Sequence, residues 1–176
     1  VTLSSEPRPV TASDAAASTL AAGIAGLGIA RLPWTNAQLQ LRGRVAFLRA
    51  AEGAAWPDLS ETALAAAIGA WLQPFLGAKT RLAEIGADDL AAALDALLPW
   101  DLKRRLEIEA PTHFEAPTGS RLPIDYEGPG APSLSIRVQE LFGLKQHPAI
   151  ANGKLPLTLH LLSPAHRPIQ ITRDLP

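Results

Sequence analysis

At Pro111 the spacing of apolar residues changes, and that change limits what the chain can fold into. Upstream, apolar residues recur three or four positions apart, the period of a helix with one buried face. Downstream they alternate, the period of a half-buried strand. Leu20, Ile24 and Leu27 mark a first helix, capped by Thr11 or Ser13 and running to about Ala30. Leu41, Val45 and Leu48 mark a second, from Thr35 or Asn36 to about Ala51, with Arg42, Arg44 and Arg49 mostly outside its inner face. Ser60 and Glu61 open a third, with Leu64, Ile68, Trp71 and Leu72 on one face, and Pro74 ends or kinks it. Thr80 caps a short turn over 81–85, and Asp88 caps a helix carrying Leu90, Leu94, Leu97 and Leu98. Pro99-Trp100-Asp101 restarts the chain for a last helix to about Glu109. Trp34, Trp56, Trp71 and Trp100 each sit at a helix end or on an apolar stripe and are expected in the helical core or its junction with the strands.

Beyond Pro111, Leu122, Ile124 and Tyr126 alternate with polar residues or proline, as do Leu134, Ile136 and Val138, then Leu155, Leu157, Leu159 and Leu161, then Ile169 and Ile171. Each set predicts a strand with its apolar side toward a core. Turn residues separate them at Pro117-Thr118-Gly119-Ser120, Glu127-Gly128-Pro129-Gly130 and Asn152-Gly153. Residues 163–168 close an antiparallel hairpin, and residues 139–142 form one helical turn ending at Gly143. The fold class is α+β: a helical N-terminal half followed by a small antiparallel sheet or partial barrel. Residues 1–10 are expected to be a residual strand or linker from an upstream domain, 11–110 a helical region, and 111–176 a β-rich region packing on the helices. Val1 is not methionine, so the chain is expected to be a fragment or a processed product.

Composition removes several classes. The net charge of −1 gives no global attraction to nucleic acid or membrane. No apolar run approaches the roughly 18 residues of a membrane span, and the first residues lack a signal-peptide pattern. Without cysteine there is neither a disulfide framework nor a thiolate metal site, and a cytoplasmic setting is expected. No phosphate-cradling loop, zinc-protease pair or hydrolase elbow is present. His113, Asp125, Glu140 and His160 have side chains capable of acid–base work, but nothing in the sequence places them together. The histidines are too widely spaced to suggest a metal site.

The local charge is more informative. From 133 onward Arg137, Lys145, Lys154, Arg167 and Arg173 face only Glu140 and Asp174, a net +3. Arg137, Lys154, His160, His166, Arg167 and Arg173 are therefore the candidate contacts to the phosphates of a single-stranded nucleic acid, beside outward positions Thr158, His160, Gln170 and Thr172. Stacking aromatics are scarce in the strand-rich core of this half: from Leu122 onward there are only Tyr126 and Phe142. The competing reading makes 163–168 a proline-stiffened hairpin loop with ordinary surface charges. A cluster of Arg137, Lys154, Arg167 and Arg173 on one face favours nucleic acid; an exposed apolar patch favours docking to protein.

Several runs in this order carry a resemblance. They are Ala110-Pro-Thr-His113, Pro117-Thr-Gly-Ser-Arg121, Ile124-Asp-Tyr126, Arg137-Val-Gln-Glu-Leu-Phe-Gly143 and Leu161-Leu-Ser-Pro-Ala-His-Arg-Pro-Ile-Gln-Ile-Thr-Arg-Asp-Leu175. They resemble the C-terminal region of the bacterial HrpB-type ATP-dependent helicases, relatives of the DEAH-box RNA helicases. Leu32-Pro-Trp34, Trp56-Pro57 and Leu98-Pro-Trp100-Asp101 look like the same region. The resemblance implies a non-catalytic accessory module of an RNA helicase whose upstream motor domains use ATP and magnesium. The partners it implies are those motor domains and single-stranded RNA; the alternative is a docking module without RNA contact. No catalytic residue carries over.

Overall fold

The computed structural model describes residues 12–128 and 131–175. The expected N-terminal strand, the cap at Thr11 and part of the turn at Gly128-Pro129-Gly130 lie outside them. Among the described residues there are six α-helices: α1 (Ala12–Leu27), α2 (Asn36–Glu52), α3 (Glu61–Ala66), α4 (Ile68–Trp71), α5 (Ala87–Leu97) and α6 (Trp100–Glu109). Seven strands follow: β1 (His113–Glu115), β2 (Arg121–Asp125), β3 (Ser133–Arg137), β4 (Ala149–Ile150), β5 (Leu155–Pro156), β6 (Thr158–Leu162) and β7 (Pro168–Thr172). The α+β class is as expected. The chain forms two compact units: one takes residues up to Thr35 with Leu59–Leu98, the other Asn36–Asp58 with the chain from Pro99 on.

The first unit is helical. Ile24, Leu64, Ile68, Leu72, Leu90 and Leu94 are all buried, as their spacing requires, although Leu27 at the end of α1 is 62% exposed. The Ser60 hydroxyl accepts the Ala63 N–H at 3.3 Å and caps α3. The cap of α5 differs from expectation. Gly86 is the N-cap, and the Asp89 carboxylate, not Asp88, accepts the Gly86 N–H at 2.8 Å. Glu84 likewise reaches back to accept the N–H groups of Thr80 and Arg81 at 2.8 and 2.9 Å. The Trp71 indole N–H donates to the Leu64 carbonyl at 2.8 Å, and its ring stacks on Trp34 with centroids 6.2 Å apart.

The second unit joins α2 and α6 to the sheet. Trp56 is fully buried, and its N–H donates to Glu52 at 2.8 Å. The Arg105 guanidinium lies 5.3 Å over that ring and bonds both Glu52 and Glu109. Arg105, and after it Trp56, hold the Glu52 carboxyl below its usual range. Gly43 lets α2 approach β2 closely: a Cβ there would sit 3.3 Å from the Tyr126 Cβ. Gln40 donates to the carbonyls of Thr112 and Ile124 at 2.7 and 3.0 Å, while Tyr126 packs on Phe47 and donates to the Pro111 carbonyl at 2.6 Å. Two sequence expectations are corrected in this unit. Arg44 is buried rather than outside, because its fork serves the end of α6. Trp100 is 69% exposed rather than in a core; it opens α6 on the solvent side, with the Arg104 guanidinium 4.8 Å from its ring.

The five-stranded sheet has the order β1-β2-β3-β6-β7, and β4 pairs with β5 as a small hairpin. Neighbours are antiparallel except β3 and β6, which are parallel, so the sheet is mixed and does not close into a barrel. The parallel pair is allowed because residues 138–157, holding a 3-10 turn and the β4–β5 hairpin, give a crossover longer than a tight turn. Ile124, Leu134, Ile136 and Leu159 form the buried face. The expectation fails at β7, where Ile169 and Ile171 are 60% and 65% exposed. β7 is an edge strand whose register sets Ile171 across from His160 and Gln170 across from Leu161, so its isoleucines lie on the face opposite Leu159 and Leu161. Val138 is also outside the core, because β3 ends at Arg137 and the chain enters a 3-10 turn there.

Candidate functional site

Register assigns the candidates to faces of the sheet. Ser133 pairs with Thr158, Ser135 with His160, and Arg137 with Leu162. His160 in turn lies across from Ile171, and Leu159 across from Thr172. Since side chains alternate, Ser133, Ser135, Arg137, Thr158, His160 and Ile171 share one face. Gln170 and Thr172 fall on the other, with Leu161 and Leu159, so the four outward polar positions expected from sequence do not form one surface. Thr158 is moreover buried.

The candidate cations divide by position. Arg137 ends β3 and donates to Glu140 at 3.1 Å. Residues 163–167 form the loop at the same end of β6, pinned by Ser163. Its carbonyl accepts the His166 N–H and its hydroxyl accepts the Arg167 N–H, with His166 at a positive φ of 59°. His166 and Arg167 are both exposed. Arg173 follows β7 at the opposite end and donates through Nε to the Thr158 hydroxyl at 3.0 Å. Lys154 is exposed on the turn between β4 and β5, which pair with each other and not with the five-stranded sheet. Phe142 is 72% exposed, whereas Tyr126 is committed to the core.

Glu140 is the one buried carboxylate in this region, 5% exposed. Arg137 first, then the Ser120 hydroxyl, hold its carboxyl below the usual range. A depressed folded pKa contributes stability above the unfolded value of about 4.3, and that contribution is lost as pH falls through the lower folded value. Arg137 is 42% exposed, so solvent screening keeps the pair to about 1 kcal/mol or less. The stability gap between the parent and Glu140→Gln should therefore be full at neutral pH and shrink on acidification. Urea melts across that range test this, and a gap independent of pH would refute it.

Between the first turn of α2 and the polar face lies an open groove of about 810 Å³. Asn36, Gln40, His113, Asp125, Glu127, Ser133, Ser135 and His160 are among its lining residues. Three of the four residues weighed for acid–base work thus line one groove, which sequence spacing gave no means of seeing; Glu140 is elsewhere. No group of three metal-ligating side chains occurs among the described residues, and no helix there is long and apolar enough to cross a membrane.

With the fold and the groove described, comparison with known proteins gives the class. Residues 71–176 match the family described as ATP-dependent helicase C-terminal, and the chain belongs to this HrpB C-terminal family. It is 39% identical to the ATP-dependent RNA helicase HrpB of Escherichia coli strain K12, over 99% of this chain but 22% of that protein. Its fold is similar to a crystal structure of the E. coli DExH-box NTPase HrpB (TM-score 0.82, 38% identity, 96% of this chain and 21% of that one). A second structure, of the E. coli DEAH/RHA helicase HrpB, matches with a TM-score of 0.76 and 36% identity over 97% and 22% of the two chains. The chain therefore spans just over a fifth of these relatives.

Proposed function

We propose that this chain is the non-catalytic accessory module of a cytoplasmic HrpB-like RNA helicase. It works beside motor domains that use ATP and magnesium, and it guides single-stranded RNA through phosphate contacts. The observation that carries the reading is one sheet face with arginines at both ends of β6, Arg137 at one and Arg173 at the other, and His166 and Arg167 exposed on the adjoining loop. A cation that meets a phosphate releases counterions, so affinity must fall with salt at a slope near −0.7 per contact on a single strand. Arg167→Ala combined with Arg173→Ala should weaken binding about equally for different sequences and flatten the slope by about 1.4. A salt titration of the chain with labelled RNA checks this, with melting curves to confirm folding.

A second reading has its own observation. Ile169 and Ile171 expose apolar surface on an edge strand, the kind of surface that docks on protein. If the parent binds no RNA at low salt, or the double variant binds unchanged, the module docks instead.

A further inference from the structure

Resting on the RNA reading, we infer that the groove beside α2 holds the base and sugar of a bound nucleotide and favours a base with an amino group, while the arginines at the ends of the same face hold phosphates. The groove is large enough for a nucleoside, at about 810 Å³, and no lysine or arginine is among its lining residues. Its charged lining is Asp125 and Glu127, which repel phosphate and accept N–H or O–H donors. The Glu127 N–H donates to Asp125 Oδ1 at 2.8 Å and fixes the carboxylate in place. Ser133 and Ser135 add neutral hydroxyls. His160 lines the groove, and Ile171, 65% exposed, lies directly across from it in register. An imidazole next to an apolar side chain offers the flat contact on which an unstacked base rests. Arg137 and Arg173 lie beyond either end of this strip, separated by about 13 Å of strand along β6 at the usual rise. The face therefore places cations at its ends and a groove free of cations between them, as a nucleotide alternates phosphate with nucleoside.

Cytosine and uracil share one ring size and differ at position 4, an amino donor in one and a carbonyl acceptor in the other. At position 3 the donor is on uracil instead, so the preference belongs to a carboxylate facing position 4, where it attracts the amino group and repels the carbonyl. Cytidine oligonucleotides should therefore bind the chain about two- to tenfold more tightly than uridine oligonucleotides of equal length, the worth of one hydrogen bond. Asp125→Asn retains the acceptor for the Glu127 N–H but loses the charge, and should bring the ratio close to one. His160→Ala should weaken both ligands about fivefold or more through lost stacking, with the salt slope unchanged. Salt-dependent binding with no cytidine preference, or a preference that survives Asp125→Asn, overturns the groove assignment and leaves phosphate guidance standing. Absence of binding to either oligonucleotide at low salt overturns both.

Discussion

Replacing Trp71 with alanine should destabilise the helical unit by about 3–5 kcal/mol, the usual cost of truncating a buried large aromatic. Trp71 is 2% exposed and ends α4, whose Ile68 is buried with it, as are Leu64 of α3 and the following Leu72. Truncation has three consequences. It opens a cavity among these side chains. It removes the stacking partner of Trp34, whose own N–H bonds the Ile29 carbonyl at 2.7 Å. It also strips the indole donor from the Leu64 carbonyl, whose N–H···O bond is buried. Trp71→Phe should recover most of the volume but not the hydrogen bond, and should fall between parent and alanine. Chemical denaturation followed by circular dichroism measures the series; a Trp71→Ala melt matching the parent would falsify the packing role.

Arg44→Met should cost about 2–4 kcal/mol, although it replaces a charge with an apolar side chain of similar length. The carbonyls at the end of a helix lack partners within it. At the end of α6 the Arg44 guanidinium supplies one for Ala110, with Nε on its carbonyl at 2.5 Å, and Nη2 adds a second donor at 3.3 Å to the Leu106 carbonyl, which already accepts the Ala110 N–H. Nη2 also meets the Glu107 carboxylate at 2.8 Å. Arg44 is 4% exposed, Leu106 2% and Ala110 fully buried, so water cannot replace the lost donors. Arg44→Lys should restore only part of the loss, because an ammonium cannot span both carbonyls as a planar fork does. The same melts test it, and a methionine variant within about 0.5 kcal/mol of the parent, the range of an ordinary surface change, would assign the stability of α6 to other contacts.

The candidate site was legible only as an inventory. Arg137, His160, His166, Arg167 and Arg173 could be picked out by charge and by strand period, but period alone gives the face of a residue within its own strand. Which residues of different strands share a face depends on register. The pairing of His160 with Ile171 separates it from Gln170 and Thr172. The gathering of His113, Asp125 and His160 around one groove depends on the order β1-β2-β3-β6 and on where α2 begins, and none of that leaves a local signal.

What the sequence determined by itself is what short-range chemistry controls. The switch from helical to strand period at Pro111, the Ser60 cap, the left-handed Asn152-Gly153 turn and the stop at Gly143 are set within a few residues, and the structure shows them where they were read. What only the tertiary structure decided is what distant segments do to one another. Arg44 looks like a surface charge until the end of α6, over sixty residues away, presents carbonyls to it. Trp100 looks like a core residue until α6 turns it to solvent. Ile169 and Ile171 keep a core pattern on an edge strand because alternation records which residues share a side, whereas burial requires a second layer on that side.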